Sequence, residues 1–455
     1  MPLPGGLRAG RTTAWGGRDA RSVAPSTSVS RHRHCQDWRI CGAYSRRPQD
    51  TRIGSDAFVP TFPSDQDPAR LTEQKQLAGR LLPVNPRDAS IDIAKGLAII
   101  AIVFGHVLRG LGAADILDPA SAGYIAVDRA VYMAHLAVFA FTAGLMVRAS
   151  IEKRGAWLYA RERVGDFLWL YLLWSILQGV VSFVLSSFVN NPRPFGAIFA
   201  LWAPDSQLWF FPWIALMTAA VAIAQPWKST SRAVVSLVLA LGVSLLNWGI
   251  FGEFAFTQGL GLTVFYFAAA TFTFARYRKV RAALGDWGAV CVLILGGGGW
   301  VLLLAFTSAI GPTSDPGGVR SPVTITTGLV CSWLGVVVVL ALSILLERIA
   351  PARIVLAYLG RQSLIIFLAH TLAQAGTRIA LSRLGIDDGT LQLIVGTLVG
   401  LGAPLVLWGL TRRRAPGLWA LPKTASERAA RARGGKEGAR ARRAHAAPRN
   451  DPPEA

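Results

Sequence analysis

The stretch RDASIDIAKGLAIIAIVFGH, residues 87–106, decides the fold. Charged and polar residues come first, and a long apolar run follows, closed by one histidine, His106. The run suits a membrane-spanning helix, which needs about 20 predominantly apolar residues. A bilayer is a costly place for Asp92, Lys95 and His106, so ionisable groups inside such a helix mark a functional site by default.

Composition extends this reading to the rest of the chain. Its 455 residues are 52% hydrophobic and 16% charged, with a mean hydropathy of +0.40. A soluble chain of this length carries far more charge. The apolar residues fall in ten blocks, at 91–111, 125–147, 165–189, 207–224, 233–250, 257–275, 287–309, 323–346, 355–374 and 391–410. The expectation is an all-α, polytopic integral membrane bundle of about ten transmembrane helices; a membrane β-barrel would alternate apolar and polar positions instead.

This membrane domain, 87–410, is flanked by two basic segments without hydrophobic period. Residues 1–86 are rich in Arg, Ser, Pro and Gly, and residues 411–455 open with Arg412, Arg413 and Arg414. Both are expected to be disordered and to face anionic lipid rather than nucleic acid. The first segment lacks a signal-peptide pattern. Its His32, His34, Cys35 and Cys41 fit no usual zinc spacing, so no metal is expected.

Loop charges set the orientation. Arg148, Lys153, Arg154, Arg161 and Arg163, then Lys228 and Arg232, Arg276 to Arg281, Arg348 and Arg353, and Arg412 to Arg414 occupy alternate connections. The other connections hold fewer cations and no lysine. The positive-inside rule makes the first set cytoplasmic, and ten spans then place both termini in the cytoplasm. A multi-pass protein of the cell membrane, most simply the bacterial cytoplasmic membrane, is the expected setting.

Orientation converts sequence position into depth. Asp92 and Lys95 lie near the cytoplasmic face, and His106 lies about 16 Å further along the first helix. Eleven residues at about 100° each return His106 to within roughly 20° of Lys95, with Asp92 on the same side. His135 in the second span and His370 in the ninth fall at a similar depth toward the outside. Ser363 shares the face of His370, and Trp209 in LWFFPW shares the depth. A neutral imidazole can take a proton from a hydroxyl near pH 7, and Lys95 suits an anionic group such as a phosphate.

At these residues the chain resembles the membrane acyltransferase-3 family, polytopic O-acyltransferases of sugars and polysaccharides. IDIAKGLAIIAIVFGH is similar to the family's first-helix signature, a basic residue separated by ten others from a histidine, here Lys95 and His106. MAHLAVFAFTAGLMV resembles its second-helix block through His135, Phe139, Phe141 and Gly144. LWFFPWI, with Leu208 to Phe211, and YLGRQSLIIFLAH, with Gly360, Ser363, Leu364 and His370, resemble two later blocks. The four blocks keep their order over about 280 residues. The chain departs from the pattern where Lys95 replaces a frequent arginine. It departs again where Asp166 follows Arg161 and Arg163 in place of a basic residue. The stretch after Trp408 is too short for the extracellular hydrolase-like domain of some members.

The resemblance implies transfer of an acyl group, commonly acetyl, from cytoplasmic acetyl-CoA or another acyl-CoA to a hydroxyl of an extracytoplasmic or lipid-linked glycan. Asp92, Lys95 and His106 are the implied catalytic set, with His106 either general base or transient acyl carrier. His135, Arg163, Trp209, Ser363 and His370 are the implied substrate-binding residues. The implied partners are the bilayer, the acyl-CoA donor and the glycan acceptor. A polytopic transporter or flippase is the alternative, since a polar stripe could also line a substrate path. No internal repeat supports it. A serine hydrolase lacks its G-x-S-x-G elbow, and a nucleotide-binding fold lacks its P-loop.

Overall fold

A computed structural model describes residues 88–188, 194–203, 206–250, 252–313 and 318–422. The segment 1–86, the chain beyond 422, and His32, His34, Cys35 and Cys41 lie outside the described residues. Among the described residues there is no strand. Ten helices or helical runs are long and apolar enough to cross a membrane. The protein is an all-α, multi-pass membrane bundle.

The first span is α1, Ala89–Gly112, and it starts where the Asp88 carboxylate accepts from the Ser90 amide at 3.1 Å. The second span joins α2, Ala122–Leu145, to the short α3, Val147–Arg154. Gly155, at φ 82°, then turns the chain into α4, Ala156–Val184. A 3-10 turn at Ser206–Trp209 leads into α5, Phe210–Ala224, followed by α6, Thr230–Asn247. A second 3-10 run, Ala255–Leu262, enters α7, Thr263–Phe272. The remaining helices are α8, Phe274–Phe306; α9, Pro322–Leu346; α10, Ala350–Arg361; α11, Ser363–Arg383; and α12, Gly389–Thr411.

Two polar clusters fix the register of the bundle. At the end where α1 begins, Arg281 of α8 pairs with Asp88 and with Glu347 at the foot of α9. The Ser90 and Tyr277 hydroxyls meet there at 2.7 Å. At the other end, Arg109 of α1 holds Asp128 of α2. The start of α1, the first turns of α8 and the foot of α9 thus share one end, and the start of α2 lies at the other. The first of these ends carries the arginine- and lysine-rich connections and is the basic end of the bundle.

α1 is the hub, packing against α2, α9, α10, α11 and α12. Its closest approach is to α10. A Cβ on Gly96 would strike the Leu356 carbonyl, and one on Gly360 would strike the Asp92 carbonyl. Only glycine lets the two backbones touch at both places. α8 and α6 lie at the periphery: 6% and 17% of their apolar windows are buried, against 72% for α1. Their apolar faces suit lipid rather than protein.

Four boundaries differ from the sequence expectation. The third span begins at Ala156 rather than 165, because Arg161 and Arg163 are helical ahead of the apolar stretch. The seventh begins at Phe274 rather than 287, with a kink at Gly285, φ 61°. At about 1.5 Å per residue its 33 residues exceed a hydrocarbon core of about 30 Å, so the charged first turns extend beyond it. The ninth, expected at 355–374, is two helices, α10 and α11, broken at Gln362, and it runs on to Arg383. Order also continues past the expected boundary at 410. Trp169 and Trp174 donate to the Gly417 and Leu418 carbonyls, both at 2.8 Å. Trp419 lies buried against Trp174, ring centroids 5.5 Å apart.

Candidate functional site

Three helices bring the histidines together. His106, five turns into α1, is half-buried. Its ring centroid stands 5.2 Å from that of His370 on α11, edge to face. Tyr132 of α2 links the third: its ring lies 6.4 Å from His106 and 4.8 Å from His135. His370 is fully buried, and α11 continues for more than three turns beyond it.

The helix backbone sets the tautomers. His370 Nδ1 lies 3.0 Å from both the Ile366 and Phe367 carbonyls, and His135 Nδ1 lies 2.5 Å from the Val131 carbonyl. A carbonyl only accepts, so Nδ1 carries the hydrogen in each ring. In the neutral ring the free lone pair is then on Nε2, the atom able to take a proton or a hydroxyl hydrogen bond. His370 Nε2 has no hydrogen-bond partner among the described residues.

Beside this cluster sits a compensated cation. Arg109, one turn beyond His106, donates to both oxygens of Asp128 at 2.6 and 2.8 Å. Its guanidinium also lies 3.2 Å over the Tyr132 ring. Arg129, next in sequence to Asp128, donates to the Thr307 and Ala309 carbonyls. Arg109, Asp128, Arg129 and Tyr132 are not among the residues that the sequence analysis singles out. The signal was present: opposite charges at the facing ends of consecutive spans, with Tyr132 one turn from His135.

The LWFFPW segment closes the third side. Phe210 and Phe211 pack on Phe367, 5.4 and 5.6 Å between centroids, one turn before His370. Trp209 is buried, and a Cβ on Gly259 would meet the rings of both Trp209 and Trp213. Gln207 reaches across to α11, donating to the Phe367 carbonyl at 3.3 Å and to the Thr371 hydroxyl at 3.1 Å.

The other expected residues lie apart from the histidines. Asp92 and Lys95 are 8% and 7% exposed in the first turns of α1, where Gly96 and Gly360 lock α10 against them. The Asp92 carboxylate stands 3.8 Å from the Arg361 guanidinium. Lys95 is about 16 Å from His106 along the helix. Ser363 is buried at the start of α11, about 10 Å below His370. Arg163, near the basic end of α4, faces Asp166 at 3.7 Å. The acidic residue that breaks the basic pattern thus takes up the charge of Arg163.

Among the described residues, no group of three His, Cys, Asp or Glu is placed to hold a metal ion. A cavity of about 470 Å³ lies between α2, α7, α8 and α9. Its walls include Phe141, Phe272, Trp333 and Leu340, with Tyr277 and Arg281 toward the basic end, and none of the histidines.

Against models of known families, residues 88–409 match the acyltransferase-3 model, described as an acyltransferase domain. No curated protein and no solved structure matches the chain.

Proposed function

The chain belongs to the acyltransferase-3 family and is a membrane acyltransferase; from that premise we propose that it carries an acyl group, acetyl first among candidates, from acyl-CoA to a glycan hydroxyl. In this reading the basic end faces the bacterial cytoplasm with both termini, and the acceptor, an extracytoplasmic or lipid-linked sugar, meets the histidine cluster. The observation that supports it most is the His106–His370 pair, two imidazoles 5.2 Å apart inside an apolar bundle.

Of the two, His106 keeps partial access while His370 is fully buried. His106 takes the proton of the acceptor hydroxyl as its oxygen attacks the thioester carbonyl. The new C–O bond forms, the C–S bond breaks, and the proton passes to the departing thiolate of CoA. Tyr132 and His135 shape the wall beside His106. Lys95 and the adjacent basic end attract the phosphates of the donor, leaving the acyl arm to reach inward along α1.

The test replaces His106 by alanine and measures acylated surface glycan by mass spectrometry, with membrane insertion as control. Loss of the acyl mass increment with normal insertion supports the assignment. Full acylation by the variant refutes it. Glycan flux through proteoliposomes that lack acyl-CoA would instead favour a transporter.

A further inference from the structure

We infer that Gln207 and His370 form an acceptor-only pair for two hydroxyls of a polyol, which makes Gln207 a specificity-determining residue for the acceptor. The inference rests on the acyl-transfer reading and narrows the acceptor's chemistry.

Gln207 is 2% exposed and His370 0%. Both side chains are tied to one carbonyl: the Gln207 amide nitrogen and His370 Nδ1 each donate to Phe367, at 3.3 and 3.0 Å. The second hydrogen of the amide goes to the Thr371 hydroxyl. An amide oxygen turned to the Phe367 carbonyl would oppose another oxygen, so the nitrogen must face it. The N–H groups of both side chains are thereby committed. What they still offer is two lone-pair sites, Gln207 Oε1 and His370 Nε2, each without a hydrogen-bond partner among the described residues. Gln374, one turn beyond His370, adds a further amide oxygen in the same condition.

Buried polar atoms of native proteins are nearly always hydrogen-bonded, and a lone acceptor is costly. These acceptors are satisfied by a partner that brings donors, a hydroxyl-bearing ligand or the water it displaces. Phosphate, carboxylate and ester oxygens would meet lone pairs and be repelled. Neighbouring hydroxyls of a sugar supply two O–H donors a few ångströms apart. A hydroxyl held on His370 Nε2 would lie beside the His106 ring, while a second is held by Gln207. One face of α11 would thus select a polyol and present one of its hydroxyls to the proposed base.

The experiment uses the full chain in lipid nanodiscs with methyl glycosides of glucose, galactose, mannose and rhamnose, each paired with its per-O-methylated analogue. Binding is followed by the shift in thermal unfolding, and transfer by release of CoA from acetyl-CoA. At least one glycoside should bind and its O-methylated analogue, equal in ring but without donors, should not. Gln207→Met should weaken glycoside binding about tenfold and leave the KM for acetyl-CoA unchanged. Equal binding of the O-methylated analogue, absence of glycoside binding, or wild-type affinity in Gln207→Met overturns the inference. The contrast between glycoside and O-methylated analogue needs no variant, so a misfolded Gln207→Met does not weaken it. Glycoside binding without transfer would refute the acyl-transfer reading and leave the pair standing. Transfer that is indifferent to Gln207 would do the reverse.

Discussion

Replacing Asp128 by asparagine removes the counter-charge of Arg109 while keeping the shape of the side chain. The two make a bidentate pair, 2.6 and 2.8 Å, with side chains 23% and 13% exposed. Breaking a fully buried pair costs about 3–5 kcal/mol, since the remaining charge is stranded. An exposed pair is worth about 0–1 kcal/mol. The residual exposure places this pair between the limits, so Asp128→Asn should cost about 2 kcal/mol. The stacking of Arg109 on Tyr132 then holds a cation with no carboxylate beside it. Reversible unfolding in mixed micelles measures the cost, and a double-mutant cycle with Arg109→Met isolates the coupling. The double variant should be more stable than the sum of the two single losses predicts, by at least about 1 kcal/mol. Strict additivity, or an asparagine variant within about 0.5 kcal/mol of wild type, would refute the reasoning. The pair would then be an ordinary surface contact, and Tyr132 would owe its place beside His106 to packing alone.

Three further outcomes follow from the same geometry. Gly96→Val drives a side chain into the Leu356 backbone, which cannot rotate aside, and should cost at least about 3 kcal/mol or abolish folding; a well-folded variant by size exclusion and thermal melt would show that α1 and α10 can part. His106→Ala should lower acyl transfer by about 10²–10⁴-fold, as expected for loss of a general base, with an unchanged melting temperature; a drop below tenfold contradicts that role. Trp419→Ala removes the ring packed on Trp174 and should speed tryptic cleavage at Arg412–Arg414 without changing the melt of the spans; equal cleavage rates would mean that residues 415–422 are held by the Trp169 and Trp174 hydrogen bonds alone.

Spans were legible in the sequence wherever an apolar block ended in charge, as at 91–111 against the observed Ala89–Gly112. They were misjudged where helix and bilayer part company. Arg276 to Arg281 are helical but lie beyond the apolar core, and Arg378 and Arg383 stay inside α11 although they look like its end. Hydropathy reports membrane immersion, whereas helicity needs only backbone hydrogen bonds, so the two boundaries need not coincide. That the three histidines lie within spans was legible, because each sits inside an apolar block. Their mutual approach through Tyr132, and the reach of Gln207 to the turn before His370, were not. Those depend on the rotation of each helix about its own axis, which interhelical packing decides.

The distribution of partners separates structural polar groups from reactive ones. Several charges in the bundle stand against charges: Arg109 with Asp128, Arg281 with Asp88 and Glu347, Arg361 with Asp92, Arg163 with Asp166. Each of these ties two helices or two turns together, and each lowers the cost of a charge in an apolar medium. Among the described residues, the buried groups without an internal partner on or against α11 include three neutral acceptors, His370 Nε2, Gln207 Oε1 and Gln374 Oε1, while in the adjoining LWFFPW segment the Trp213 indole N–H is also unpartnered. A neutral acceptor can remain in the bundle without a counter-ion, at a cost far below that of a bare charge, and is restored when a donor arrives. In the proposed acyl-transfer reading, hydroxyl hydrogens of the acceptor meet the lone acceptors near His106, and the charged donor meets the basic end, where α1 begins.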